Sequence, residues 1–444
     1  MAPVLRSSQN IETAFFQTRP MTEAEKADAA RKREVRCRDI LLKGPIEELS
    51  QRTQNRYKRY WKAVDILAEG NGIVALWTYT GSDYYRISLP RQVVVKQMVD
   101  YRKHQPHIEE LDVGARIHAH LNAQSSSHIV QLPSKGNQLT DKTLREMGVR
   151  NDSYWLRHIH RIITEYCELG DLSDLILRRL EIENEADQKF QERTLWHFFD
   201  CMVDAISVLN EVFEYAYDRA TQKAVRPAVA YSVWYPYVHL DAKLRNWFVK
   251  IDPTTLSNPA MPVLKLGDFG FTGELVPDLQ QNLNSDYVLS WRNNFSRRGT
   301  PGFFTPHANS GDDGIVGKFG PATNVWALGL NMVLLAELKE AHEDGAHNSQ
   351  GIRTTGLEKA NPEPILPNFQ IDGRQADGRT YCLSLRDEAY SDELKDLIFQ
   401  CLYEKPALRP TCQETKQRIG LALDRIYPKE GPKQLPEHLD SIGG

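Results

Sequence analysis

Apolar positions change their spacing twice along this chain. From Trp61 they gather in short runs rich in β-branched and aromatic residues: Val64–Leu67, Ile73–Tyr79, Tyr84–Leu89 and Gln92–Met98. Gly70, Gly72 and Gly81 fall between the first three. Runs of this kind between glycines predict strands. The last two lie so close that one bent strand would satisfy them. Ile108–Leu121 then predicts a helix, weakened at Gly114 by about 1 kcal/mol relative to alanine. Ile129–Leu132 and His158–Thr164 predict two further strands, joined by a polar loop over 133–157 that is long for a compact domain. Six strands and one helix form an α+β pattern built on an antiparallel sheet.

After Gly170 the period becomes helical. Leu195, Phe198, Phe199, Met202, Ala205, Ile206, Leu209 and Phe213 recur at i, i+3, i+4, as one buried helix face requires. Strands at Asn246–Ile251 and Val263–Leu266 interrupt the helices. Helices resume at Thr323–Leu338, Asp392–Leu402 and Cys412–Ile426. Residues 339–390 carry Gly, Asn and Pro and read as a surface insertion, and 428–444 reads as a loose tail. The first 55 residues read as an extension, with a helix over Met21–Lys43. Its run Arg31-Lys32-Arg33, with Arg36 and Arg38, suits a solvated face. The division expected is therefore 1–55, a strand-rich 56–166, a helical 167–427 and the tail.

Composition narrows the classes. Apolar residues at 41% and charged residues at 26% suit a folded protein. Fifty-nine acidic against fifty-five basic side chains, a net charge of −4, exclude a chain built mainly to coat nucleic acid. The longest apolar stretch, Val325–Ala336, contains Asn331 and falls short of the about 20 residues a membrane span needs. Met1–Ser8 has no apolar signal core. The cysteines at 37, 167, 201, 382, 401 and 412 form no C-x-x-C pair. Reduced thiols in the cytoplasm or nucleus follow, without a disulfide framework or zinc site.

The chemistry concentrates in His239-Leu240-Asp241-Ala242-Lys243-Leu244-Arg245-Asn246. A carboxylate, an ammonium and an amide stand at i, i+2 and i+5 of a presumed loop. Phosphoryl transfer from ATP needs these three: an acceptor for a hydroxyl proton, a cation for the phosphoryl charge, and an amide oxygen for Mg²⁺. Downstream, Lys265-Leu266-Gly267-Asp268-Phe269-Gly270 places a second oxygen donor, Asp268, on a flexible turn after a strand.

With these, five other motifs occur in order around them: Val93-Val94-Val95-Lys96; Thr164-Glu165-Tyr166-Cys167-Glu168-Leu169-Gly170-Asp171-Leu172; Gly299-Thr300-Pro301-Gly302-Phe303-Phe304-Thr305-Pro306; Asn324-Val325-Trp326-Ala327-Leu328-Gly329; and Pro406-Ala407-Leu408-Arg409-Pro410. The ordered set resembles the eukaryotic protein kinases of serine/threonine type over about residues 60–427, and some spacings and insertions resemble those of fungal kinases. The resemblance implies a two-lobed fold, with an antiparallel-sheet lobe over 56–166 and a mainly helical lobe over 167–427. It implies ATP and Mg²⁺ as cofactors and a protein serine or threonine hydroxyl as acceptor. Lys96 matches the strand lysine that binds the α- and β-phosphates, Asp241 the catalytic base and Lys243 the phosphate-contacting lysine. Asn246 and Asp268 match the magnesium ligands. Thr164 falls at the gatekeeper position, Glu165 and Cys167 where the backbone binds adenine, and Asp171 near the ribose. No membrane or nucleic acid is implied, and a regulatory partner of residues 1–55 fits the pattern.

The match has departures. Leu67-Ala68-Glu69-Gly70-Asn71-Gly72-Ile73-Val74 keeps two glycines of the phosphate loop, with Gly70, Gly72 and Val74 as its candidates; alone the pair reads equally as a plain β-turn, and Lys96 on a later strand favours the phosphate loop. Family spacing places the glutamate that pairs with the strand lysine at Gly114. Glu110 lies one turn earlier on the same face. Leu240 replaces an arginine, Asn324 an aspartate, and His307 the glutamate expected to pair with Arg409. The expected function is a Mg²⁺-dependent serine/threonine protein kinase. The alternative is a pseudokinase, an ATP-binding or scaffolding module with the same fold.

Overall fold

The computed structural model describes residues 61–69, 72–81, 90–98, 105–122, 126–132, 161–228, 234–251, 262–275, 299–300, 303, 305, 319–339, 363–364 and 379–426. The extension 1–55, Gly70, the strand expected at Tyr84–Leu89, most of the insertion 339–390, His307 and the tail 428–444 lie outside the described residues. The chain divides into two compact units, 1–104 with 144–163, and 105–143 with 164–444.

In the first unit β1 (Trp61–Glu69), β2 (Gly72–Tyr79), β3 (Gln92–Met98) and β4 (Arg161–Glu165) form one sheet in the order β1-β2-β3-β4. β4 straddles the division. The β1/β2 and β2/β3 pairs are antiparallel. The β1/β2 register shifts twice, between Ala63 and Asp65 and between Ile66 and Ala68. Such bulges bend the strand and increase its twist. Val93 and Val95 are buried, as are Trp77 and Ala75 opposite them and Ile73 further along the same face of β2.

In the second unit α1 (Gln105–Asn122) starts three residues before the apolar pattern does, with Pro106 in its first turn, where a missing N–H costs nothing. The segment expected as a strand at Ile129–Leu132 is a single bridge, Ile129 to Leu266. Its main chain still bonds to both sides: Val130 N donates to Leu266 O at 3.0 Å, and Glu165 N donates to Gln131 O at 2.9 Å. Next come α2 (Leu172–Leu180) and α3 (Glu192–Glu211). Leu195, Phe198, Phe199, Met202, Ile206 and Leu209 of α3 are fully buried at the centre of the core. α3 ends at Val212, a β-branched residue in the left-handed region (φ 74°).

A hairpin that the apolar spacing does not reveal follows, β5 (Ala216–Asp218) with β6 (Lys223–Val225). After it come β7 (Tyr237–Val238), β8 (Trp247–Ile251), β9 (Pro262–Leu266), β10 (Gly273–Glu274), α4 (Pro321–Glu337), α5 (Asp392–Cys401) and α6 (Cys412–Ile426). The hairpin packs tightly on α6: a Cβ at Gly420 would fall 2.2 Å from the Tyr217 ring. No helix among the described residues is long and apolar enough to cross a membrane.

Candidate active site

Two short strand pairings assemble this site. β7 pairs with β10 and β8 pairs with β9, both antiparallel. The loop leaving β7 and the turn leaving β9 are thereby forced together. Gly267 N donates to Asn246 O at 3.0 Å, and the His239 Nε2 lies 3.0 Å from Gly267 O. A carbonyl only accepts, so Nε2 carries the proton. Nδ1 is then the acceptor for Asp241 N at 3.3 Å. The ring is neutral, and burial holds its pKa down at about 4.

Asp241 is 5% exposed. Its Oδ1 accepts from Thr300 N at 3.0 Å and from Thr300 Oγ1 at 2.6 Å. Its Oδ2 accepts from Asn246 Nδ2 at 3.1 Å and lies 3.8 Å from Lys243 Nζ. Lys243 Nζ donates to Thr300 Oγ1 at 2.9 Å, so one hydroxyl links acid and ammonium. Burial pushes the Asp241 pKa up and Asp268 adds to the rise, while Lys243, Thr300 and Asn246 favour the charged form.

Asn246 spends both amide hydrogens on Asp241, on its carbonyl at 2.6 Å and on Oδ2. The planar amide leaves its oxygen to face another partner. Asp268 is exposed and held in the left-handed region (φ 55°, ψ 69°), a sparsely populated conformation that recurs at functional sites. An amide oxygen and a carboxylate are hard donors of the kind Mg²⁺ takes. Phe269 is buried between two imidazoles, His118 of α1 at 4.8 Å and His239 at 5.2 Å between ring centres.

α1 lies directly on this turn. A Cβ at Gly114 would sit 2.9 Å from Gly270 Cα, Gly270 N and Phe269 C. Glu110, one turn earlier, brings Oε1 to 3.1 Å from the position a Cβ on Gly270 would take. The helix face read from the sequence is therefore the one that meets Asp268-Phe269-Gly270, and a glutamate at 114 has no room.

The remaining candidates fall in several places. Lys96 stands on β3 directly opposite Val74 of β2, so both side chains share one face of the sheet, and Gly72 begins β2 opposite Met98. Glu165 closes β4. Its carboxylate is buried and holds Lys265 at 3.0 Å, Lys250, and Gln131 N at 2.7 Å. Its side chain thus ties β4 to β8 and β9, while its N–H is committed to Gln131 O. Cys167 is buried, and burial together with Glu165 pushes its pKa up to about 12. Asp171 caps α2 reciprocally with Asp174, accepting from Asp174 N at 2.9 Å and donating its own N–H to Asp174 Oδ2 at 3.2 Å. Burial raises its pKa to about 6.

The sequence matches the protein kinase domain family over residues 90–419, well over half of the chain. The chain belongs to that family. It is also similar to serine/threonine-protein kinase Nek9 of Xenopus laevis, 24% identical over 262 residues, which are 59% of this chain and 20% of that protein. The chain thus spans about a fifth of the length of that curated relative. The α+β architecture, a sheet in the N-terminal region and helices in the C-terminal region, is that of the kinase domain.

Two departures from the kinase pattern acquire a physical account, and so does Arg409, whose expected partner position, His307, lies outside the described residues. Asn324 accepts from His239 N at 3.0 Å, as an aspartate would, and also donates to Tyr237 O at 2.7 Å and Asn210 Oδ1 at 2.8 Å. Leu240 takes the left-handed region (φ 62°) and packs against Val238 and Leu275 together with Phe319. Arg409 is 4% exposed, donates to the carbonyls of Tyr403, Ala322 and Glu404, and lies 4.9 Å over the Trp326 ring. Burial lowers its pKa to about 9. Sequence reasoning missed Thr300 as a partner of Asp241. Its hydroxyl is 57 residues downstream of Lys243 and is buried between both groups.

Proposed function

We propose that this kinase domain is catalytically competent and transfers the γ-phosphoryl group of ATP to a serine or threonine hydroxyl of a protein. The observation that carries this is Asp241, buried and oriented on one oxygen by Thr300 and on the other by Asn246, with the Lys243 ammonium beside it. A scaffold has no need for a buried carboxylate so held. In the step, the acceptor oxygen forms a bond to the γ-phosphorus, the bond to the β–γ bridging oxygen breaks, and ADP leaves. Asp241 takes the hydroxyl proton. Lys243 faces the transferring group, and Lys96 binds the α- and β-phosphates. Asn246 and Asp268 would hold Mg²⁺, which supplies charge neutralisation at the phosphates. Gly70, Gly72 and Val74 would cover the phosphates, and the main chain at Glu165 and Cys167 would meet the adenine, with Asp171 toward the ribose. The wide spacing of the cysteines, without a C-x-x-C pair, suits the cytoplasm or nucleus. Residues 1–55 would serve a regulatory partner.

A second reading, the pseudokinase, is favoured by Gly114, which removes the usual helix glutamate. One experiment separates the two. Radiolabelled ATP, Mg²⁺ and a generic acceptor protein are incubated with wild type and with Asp241→Asn. The wild type should label the acceptor, and loss of the base should lower the rate by about 10²–10⁴. The acid limb of its pH–rate profile should lie above the usual aspartate range, because the Asp241 pKa is raised. No labelling by either protein while ATP still raises Tm would establish the second reading, and equal labelling by both would show that Asp241 is not the base.

A further inference from the structure

Between Val325 and Ala336 only Asn331 carries a polar side chain, and it is fully buried. An amide in such a place is costly unless it is paired. Nδ2 donates to Ala242 O at 2.6 Å and to Ala327 O at 2.7 Å. The orientation is fixed by chemistry, since the opposite flip would set Oδ1 against two carbonyl oxygens. Oδ1 is buried and has no hydrogen-bond partner. Packing alone would place an apolar residue here. What the amide gains is a bond to the loop that carries Asp241 and Lys243.

The place of that bond matters. Ala242 O belongs to the peptide whose N–H is that of Lys243, and Lys243 N donates to Asp241 O at 2.8 Å. Asn246 N in turn donates to Lys243 O at 2.9 Å. Asn324, seven residues before Asn331 and so on nearly the same face of α4, holds the loop at Tyr237 and His239. One rigid helix therefore grips the loop on both sides of Asp241. We propose that Asn331 is a positioning residue for phosphotransfer: its amide fixes the 242–243 peptide and, through it, the placement of Asp241 and Lys243. The proposal rests on the kinase reading above.

Asn331→Leu tests it. The variant removes the orphan Oδ1 but leaves Ala242 O without its donor, so the two effects oppose and Tm should move by only about a few degrees. The expected kinetic result is a fall in kcat of about tenfold or more, with the KM for MgATP within about twofold. The amides of Lys243 and Asn246 should exchange with deuterated solvent faster than in wild type. In Asn331→Asp the side chain can donate to Ala242 O only when protonated, so its rate relative to wild type should rise as pH falls. Wild-type kcat and wild-type exchange in Asn331→Leu would overturn the proposal. So would a loss of kcat that comes with a large fall in Tm and a flat Asn331→Asp pH ratio, which marks a merely structural residue. If the wild type transfers no phosphate, the kinase reading fails by itself, and unchanged exchange at Lys243 and Asn246 still overturns the positioning role.

Discussion

Gly114 shows how a single absent side chain sets the geometry of this kinase domain. Its Cα faces three main-chain atoms of Phe269 and Gly270, each 2.9 Å from where a Cβ would lie. Main chain cannot swing aside as a long side chain can. Gly114→Ala should gain about 1 kcal/mol of helix propensity and lose about 1–3 kcal/mol to overpacking. The expected outcome is a lower Tm, with phosphotransfer reduced by at least about tenfold because the Asp268 turn is pushed off α1. A more stable variant of unchanged rate would show that the contact yields easily. Such contacts mark what one sequence conceals at this scale. Asp241, Lys243, Asn246 and Asp268 are readable because they sit within a short motif or beside one. Thr300 and Asn331 act on the same loop from 57 and 89 residues away, and no local pattern announces a partner at that distance; Asn324 is legible only through its motif. That position 114 has no space for a side chain, and that Glu110 one turn earlier reaches Gly270, is visible only in three dimensions.

At the scale of elements, α3 and α6 are joined by a buried ion network. Lys416 Nζ lies 2.7 Å from Asp204 Oδ2 and 2.8 Å from Asp200 Oδ1. His128 Nδ1 lies 3.0 Å from Glu214 Oε1 and 3.9 Å from Asp204 Oδ2. His128, Asp204 and Glu214 place their ligating atoms within 4.8 Å of one another, yet the Lys416 ammonium already supplies the cation, and a dication would face it. Lys416→Met keeps the stem and removes the charge. It leaves Asp204, 5% exposed, without its closest counter-ion, and the loss should be about 3–5 kcal/mol, read as a lower urea midpoint with unchanged slope. A loss below about 1 kcal/mol, the range of exposed pairs, would mean that solvent reaches the network. Elements of this length were also the most legible ones. β3 and α6 coincide with the expected Gln92–Met98 and Cys412–Ile426, because β3 carries a β-branched run and α6 several helical turns of one pattern. β5 and β6 have three residues each, too few to show a period, and they are held by α6 rather than by their own pattern. Ile129–Leu132 has a strand's composition but makes one bridge, its main chain shared between Leu266 on one side and Glu165 on the other.

For the whole molecule the open question is control. In many kinases the residue before the catalytic aspartate is an arginine that meets a phosphate on the activation segment. A phosphate brings nearly two negative charges and needs a cation opposite it. Here that residue is Leu240, turned into an apolar contact with Val238 and Leu275. Thr300, the hydroxyl nearest the site, is buried and already bonded to both Asp241 and Lys243, so modifying it would break the site it helps to build. Ser285, Ser290 and Ser296, with Arg292, Arg297 and Arg298 near them in sequence, lie outside the described residues. A phosphate there would have to find its cation locally, without the link that Leu240 lacks. The rate should therefore survive removal of phosphate, and any switch should act through residues 1–55 or a partner. The measurement is the phosphotransfer rate of the expressed full chain before and after phosphatase treatment, beside Leu240→Arg. Phosphatase should change the wild-type rate by less than about twofold, well under the 1.4 kcal/mol that a tenfold change represents. Leu240→Arg should lower Tm, because it sets a charge among Val238, Leu275 and Phe319, and it should not create dependence on phosphate. A tenfold fall in the wild type, restored by rephosphorylation at one of those serines, would show that a local arginine does the work of the missing one.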